Sequence, residues 1–351
     1  MNVRFGFLGT SIFATILQGA CADEALVTKD MLSYFAPLPE VMASEKNPVT
    51  DVKVALGRQL FFDARLSLDG KTSCNSCHAL DNYGVDKRLQ GRAAPTVYHA
   101  ALHVGQYWDG RAADVEEQAR RAVVDLLELA MPDVDALLEV LHSIPGYVDA
   151  FVAAFPGDGD DPVSVDHFGM AIAAFERTLV TPGRFDRLLN GDDAAFTGEE
   201  KAGMVKFVQV GCVACHSGQG LGGKLYQKLG LVRPWPGLKD EGRFAVTGDA
   251  SDRFVFKVPG LRNIARTGPY LHDGSVESLE KVVELMAWHE IGQYVDGATT
   301  RSITMFLNAL TGELPEQLIR KPELPADGAT TGDVLAKLRA SASSSNAPSE
   351  R

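Results

Sequence analysis

Five cysteines occur in the 351 residues. Four of them form two identically spaced pairs, each followed at once by a histidine: Cys74-Asn-Ser-Cys77-His78 and Cys212-Val-Ala-Cys215-His216. Within each pair the sulfurs lie one helical turn apart, so both can reach the vinyl-derived carbons on one edge of a porphyrin. The histidine that follows can point a ring nitrogen at the iron as proximal ligand. One such motif arises by chance; two of them, using every cysteine beyond residue 22, predict two covalently attached haem c groups. Zinc would have to join widely separated pairs and leave both histidines unexplained. A redox-active Cys-x-x-Cys needs a thioredoxin-like βαβ setting, which is missing. A haem with both axial positions filled passes electrons, whereas one with an open position binds a small ligand such as peroxide, so two haems permit a division of labour.

Helices must hold these motifs, because strand-like alternation is scarce. Residues 54–67, VALGRQLFFDARLS, read as a short helix and turn leading into the first motif. Over 112–130, Val115, Ala119, Ala122, Leu126 and Leu129 recur at three- and four-residue intervals, which predicts one helix. Pro132-Asp133 opens another through Leu141, and Val165, Phe168, Ile172, Phe175 and Leu179 stripe a third over 165–180. Thr197 and Glu200 fit a capping box for a helix ending at Gly211, directly before the second motif. A Gly- and Pro-rich stretch over 218–260 follows, with a hairpin expected around Phe254-Val255-Phe256, and helices over 277–289 and 300–311 close the body. The fold class expected is all-α: two tandem cytochrome c-like domains over 23–180 and 181–324, with long loops and little β structure. Residues 325–351, rich in Ala, Ser, Thr and Asp, read as a flexible tail.

Residues 1–22 carry Arg4, an apolar run from Phe5 to Leu17 and the small-x-small site Ala20-Cys21-Ala22, the pattern of a cleaved signal peptide rather than a membrane span. Gln18 and Gly19 fit poorly before a lipoprotein cysteine at Cys21. The formal net charge of −12 argues against nucleic acid as a partner and favours a basic protein.

Between Asn47 and Pro315 the chain resembles the bacterial diheme cytochrome c peroxidases. The resemblance rests on LGRQLFFDARLS, SCNSCHAL, APTV, QYWDGRAADVEEQA, GCVACHSGQGLGG, GRFAVTGDASDRFVFKVPGLRNIA and TGPYLHDGSVESLEKVVELM, in that order. It implies a peroxidatic haem on Cys74, Cys77 and His78, and an electron-transfer haem on Cys212, Cys215 and His216. It also implies Met286 as the second axial ligand of the latter iron; by periodicity Met286 only continues the stripe Leu279, Val282, Val283, and His289 is its nearest rival. Glu128 is implied as the carboxylate that moves the peroxide proton, with Gln118 beside it; a charge among Leu126, Leu127 and Leu129 fits a buried acid of raised pKa, against the alternative of a surface glutamate. Trp108 is implied to lie between the haems, against the alternative of a core aromatic. Asp109 and Arg111 are expected to bind backbone groups or a haem propionate.

The implied reaction is reduction of hydrogen peroxide to water with electrons from a small periplasmic c-type cytochrome or copper protein, in an exported enzyme that forms a homodimer. Two alternatives remain: a diheme oxidase acting on a partner protein by long-range electron transfer, like the enzyme that matures methylamine dehydrogenase, or a diheme electron carrier. The chain departs from the family in the loop Gly84 to Val97, GVDKRLQGRAAPTV, which lacks the histidine that blocks the resting peroxidatic iron in many members. An open iron is therefore expected unless His99 or His103 substitutes. Calcium through the Thr267 and Pro269 carbonyls is implied by the family but put in doubt by Ala93, which stands where the family has an asparagine. Arg121-Ala122 replaces the glycine and proline that usually precede the acid.

Overall fold

A computed structural model describes residues 27–86, 91–159 and 161–345. The expected signal peptide and residues 87–90 of the short loop lie outside them. The longer helices are α1 (Asp51–Phe62), α2 (Val115–Ala122), α3 (Val134–His142), α4 (Pro145–Ala154), α5 (Val165–Glu176), α6 (Gly198–Val210), α7 (Leu279–Met286), α8 (Gly297–Ala309) and α9 (Thr331–Ser345). Most start where a side-chain oxygen takes up an unpaired N–H: Thr50, Asp114, Asp133, Ser164, Thr197, Ser278 and Asp296 each accept from the backbone three residues on. The Thr197 and Glu200 capping box forms as expected. The expected hairpin is there too, as strands Tyr226–Lys228 and Val255–Lys257 paired antiparallel.

Two apolar cores result, and one packing device recurs in both. In the first, α1 crosses α5 at Gly57, where a Cβ would overlap the Ala171 carbonyl oxygen and lie 3.0 Å from the Phe175 Cβ. One turn on, Phe61 meets Phe175 edge to face at 5.4 Å. In the second, α6 crosses α8 at Gly203, where a Cβ would overlap the Ser302 carbonyl oxygen and lie 3.0 Å from the Phe306 Cβ. Phe207 then meets Phe306 edge to face at 5.3 Å. Gly-x-x-x-Phe on one helix thus faces a phenylalanine on the other in each half, and each Gly helix runs towards a Cys-x-x-Cys-His. Aromatic pairs of this kind add about 0.5–1.5 kcal/mol beyond area burial.

Three sequence expectations change. The helix expected over 112–130 stops at Ala122. Asp125 turns the chain, its carboxylate accepting from the Leu127 N–H at 2.9 Å and its carbonyl from Ala130 N at 3.0 Å. The tail is not loose through Ser345: α9 lays Leu338 into the first core at 8% exposure, and Thr331 donates its hydroxyl to the Ser143 carbonyl at 2.7 Å. Val334, Leu335 and Leu338 supply its core-facing side. Nor do the halves separate cleanly at 180. Val27, Leu32 and Phe35 pack on the second core, while Leu314, Leu318, Ile319 and Leu338 pack on the first. Among the described residues no single helix is long and apolar enough to cross a membrane.

Candidate active site

Ser73 caps the short helix Cys74–Cys77, its N–H bonded to the Ser76 hydroxyl at 3.0 Å, and the His78 N–H closes the turn on the Cys74 carbonyl at 2.9 Å. The His78 Nδ1 donates to the Gly84 carbonyl at 3.3 Å. A carbonyl only accepts, so Nδ1 carries the proton and Nε2 keeps its lone pair. Burial holds the His78 pKa below the usual histidine value. A cleft partly open to solvent adjoins this turn; Cys74, Cys77 and His78 share its lining with Gln118, Glu128, Leu129, Phe168, Ile172 and Glu176. No second histidine and no methionine lines it among the described residues.

Glu128 reaches this cleft by a route the helical reading missed. Beyond Ala122 the turn points Leu126 and Leu127 to solvent, at 84% and 61% exposure, and turns Glu128 inward. The Tyr107 hydroxyl donates to Glu128 Oε1 at 2.9 Å and Gln118 Nε2 donates to Oε2 at 3.2 Å. Burial pushes the Glu128 pKa up to about 7, with the Tyr107 hydrogen bond opposing and Asp125 adding repulsion. Spacing alone does not reveal Tyr107, because its contact crosses 21 positions.

Sequence reasoning also missed Glu176, on the last turn of α5. It is 4% exposed and faces the same cleft. Burial, then repulsion from Glu116, pushes its pKa up to about 8, with Arg177 opposing. The signal was available: like Glu128, it is an acid in an apolar run, Ala173-Ala174-Phe175.

The two histidines named as substitute ligands are engaged elsewhere. His99 Nε2 accepts from Thr181 N at 3.1 Å, and His103 Nδ1 lies 3.2 Å from Lys257 Nζ. Trp108 donates Nε1–H to the Ala93 carbonyl at 2.8 Å, and its own carbonyl accepts from Lys257 N at 2.8 Å. Ala93 N–H donates to the His272 carbonyl at 2.8 Å. Arg92 bridges Asp109 at 2.6 Å and Asp240 at 2.7 Å, so the described end of the short loop is tied to the second half. Asp109 thus holds Arg92, and it also pairs with Arg111 at 3.3 Å. Thr267 follows the turn Ile264–Arg266, and Pro269 follows a cis peptide bond.

The second motif follows Gly211, which ends α6 at φ +103°. His216 Nδ1 donates to the Leu221 carbonyl at 3.2 Å, the counterpart of His78 and Gly84, and burial pushes its pKa down to about 4. Met286, half-buried, is the last residue of α7 and leads into a π-helical turn, Ala287–Ile291. His289 Nδ1 donates to the Arg233 carbonyl at 3.0 Å, and the ring lies 4.7 Å from Trp235.

Residues 51–194 match the family model for di-haem cytochrome c peroxidase. The cytochrome c551 peroxidase of Pseudomonas aeruginosa is 40% identical over 316 residues, 85% of this chain and 90% of its own. The chain belongs to the di-haem cytochrome c peroxidase family. The cytochrome c551 peroxidase of Nitrosomonas europaea is 42% identical to this family member over 321 residues, 86% of this chain and 94% of its own. Among solved structures, a MauG-like protein associated with microbial copper homeostasis matches the peroxidase with a TM-score of 0.69 at 27% identity, covering 81% of this chain and 95% of that one.

The residues of the peroxidase fit covalent haem. His78 and His216 each place Nδ1–H on a backbone carbonyl, which leaves the Nε2 lone pair of each ring for an iron to take. None of the four cysteines is in a disulfide. Burial raises the Cys74 thiol and pushes Cys212 up to about 12, which suits protonated thiols awaiting thioether formation and not a redox-active thiolate. Among the described residues no three or more His, Cys, Asp or Glu side chains gather as a metal cluster, so nothing there favours the zinc alternative.

Proposed function

We propose that the enzyme reduces hydrogen peroxide to water with electrons from a small c-type cytochrome or copper protein. In this reading the half around Cys74, Cys77 and His78 holds the peroxidatic haem, and the half around Cys212, Cys215, His216 and Met286 holds the electron-transfer haem. The observation that carries the reading is the Glu128 carboxyl, set by two hydrogen bonds in the wall of the cleft that also holds His78. When bound, the haem supplies an iron that takes up peroxide and passes it electrons.

Glu128 does the proton work. With a pKa of about 7 it could take the proton from one peroxide oxygen and return it to the other, which leaves as water as the O–O bond breaks; two electrons from the donor and two protons from solvent turn the remaining oxygen into the second water. Gln118 holds Oε2 so that the carboxyl keeps one orientation. Leu129, Phe168 and Ile172 give the cleft apolar wall that limits water around that proton. Trp108, fixed by Ala93 and followed in the chain by Asp109 and its partner Arg92, sits where the halves are tied together and is proposed to assist transfer between them. Met286 is favoured over His289 because it closes the segment TGPYLHDGSVESLEKVVELM at the place the family resemblance gives to that ligand. The leader-like residues 1–22 support export to the periplasm, and the acidic balance of −12 suits a basic donor.

A haem held by His78 would rest accessible to peroxide beside Glu128. The cleft lacks a second histidine among its described residues, and residues 87–90, Lys-Arg-Leu-Gln, contain none. Two measurements test this: peroxide consumption with reduced cytochrome c, and EPR of the fully oxidised protein. Turnover without prior reduction, with a high-spin ferric signal, is expected. Two low-spin signals alone would refute the open site, and absence of peroxide consumption would leave an electron carrier.

A further inference from the structure

Among the described residues, Tyr107 and Gln118 hydrogen-bond Glu128, and Tyr107 does so from an unusual backbone conformation. Tyr107 has φ +62°, in the left-handed region that residues with a Cβ rarely adopt. Such outliers persist where the surroundings over-determine them, and often at functional sites. Here the surroundings are specific. The Arg111 guanidinium lies 3.4 Å from the ring centroid and also pairs with Asp109 at 3.3 Å and Asp125 at 3.6 Å. The ring is therefore clamped on one face by a cation that is itself held at two points. The hydroxyl is left aimed at Glu128 Oε1, 2.9 Å away.

We propose that Tyr107 is a positioning residue that keeps Glu128 able to act as a base inside the cleft. The inference rests on the reading of Glu128 given above. Two donors, Tyr107 from the loop before α2 and Gln118 from α2 itself, each occupy one carboxyl oxygen. Both bonds are stronger to a carboxylate than to a carboxylic acid, so they oppose the cost of burying the charge. The other groups facing Glu128 are Asp125 from its own turn, Glu176 from α5 and Cys74 from the first motif, with Arg111 as the attracting cation. Glu176 and Asp125 disfavour the charge. Without the phenol, Gln118 and Arg111 are left to offset them among the described residues.

Tyr107→Phe removes one oxygen and keeps the ring under Arg111. The holoenzyme is measured as kcat/KM for peroxide against pH, in wild type, Tyr107→Phe and Glu128→Gln. Cyanide affinity of the ferric haem, read optically across the same pH range, supplies a readout independent of turnover, because taking up HCN as the anion also needs a nearby proton acceptor. The wild-type acid limb should lie near the Glu128 pKa, and Tyr107→Phe should move it up by roughly one pH unit, the size of one hydrogen bond to a charged group. Cyanide affinity should shift in parallel. A limb that stays in place in Tyr107→Phe but vanishes in Glu128→Gln overturns the role of Tyr107 and leaves Glu128 standing. A limb that survives in Glu128→Gln overturns both.

Discussion

Replacing Glu128 by Gln changes one atom and removes the only function proposed for it. The structure says how the site would accommodate the change. Tyr107 can still donate to the new amide oxygen, and Gln118 can rotate its own amide to present oxygen instead of N–H, so the pair of hydrogen bonds survives. Packing at Leu129 and the Cys74–His78 turn is untouched, and two haems per chain are expected to remain. Turnover, by contrast, loses its proton carrier. A general acid–base group contributes at least about a hundredfold, or about 2.7 kcal/mol of barrier. The pH dependence is the sharper reading. With a pKa of about 7, about one eleventh of Glu128 is carboxylate at pH 6 and about ten elevenths at pH 8, so wild-type kcat/KM should rise roughly tenfold between them. The base form is the active one, so activity is lost as pH falls through about 7. Stopped-flow reduction of peroxide across that range measures both. A variant that keeps turnover within a few-fold, with the limb intact, would refute the assignment.

Two further outcomes are expected. Met286→Ala should leave both haems attached but lower the potential of the second one, seen in a spectroelectrochemical titration, because a thioether ligand raises an iron potential; an unchanged potential would transfer the ligand role elsewhere. Gly57→Ala places a methyl against the Ala171 carbonyl, where overpacking of about 3 kcal/mol outweighs a helix-propensity gain of about 1 kcal/mol. The net loss of about 2 kcal/mol lowers Tm by roughly 4–8 °C in calorimetry.

The two Cys-x-x-Cys-His motifs were legible because their chemistry is local: attachment, ligation and the turn that joins them fall within five residues. The capping residues were legible for the same reason. Glu128 was found by position and by its oddity among leucines, yet through a helix that does not exist there. Leu126 and Leu129 matched the period by accident, since Asp125 captures the Leu127 N–H and redirects the chain. Tyr107 could not be read, because only the folded loop brings it to Glu128. The exchanged arms were hidden too: Thr331 to Leu338 is a weak stripe in a polar segment, and only the groove it covers makes it helical.

That exchange constrains the order in which the protein can be completed. Arg58 donates to the Arg320 carbonyl and Arg339 to the Leu68 carbonyl, partners 262 and 271 positions apart. At about 5–20 residues per second, a chain made in sequence waits on the order of 13–52 seconds between making α1 and making the strand of chain that covers it. The first apolar core therefore lacks Leu314, Leu318, Ile319 and Leu338 throughout that interval and is completed only when the late segment arrives.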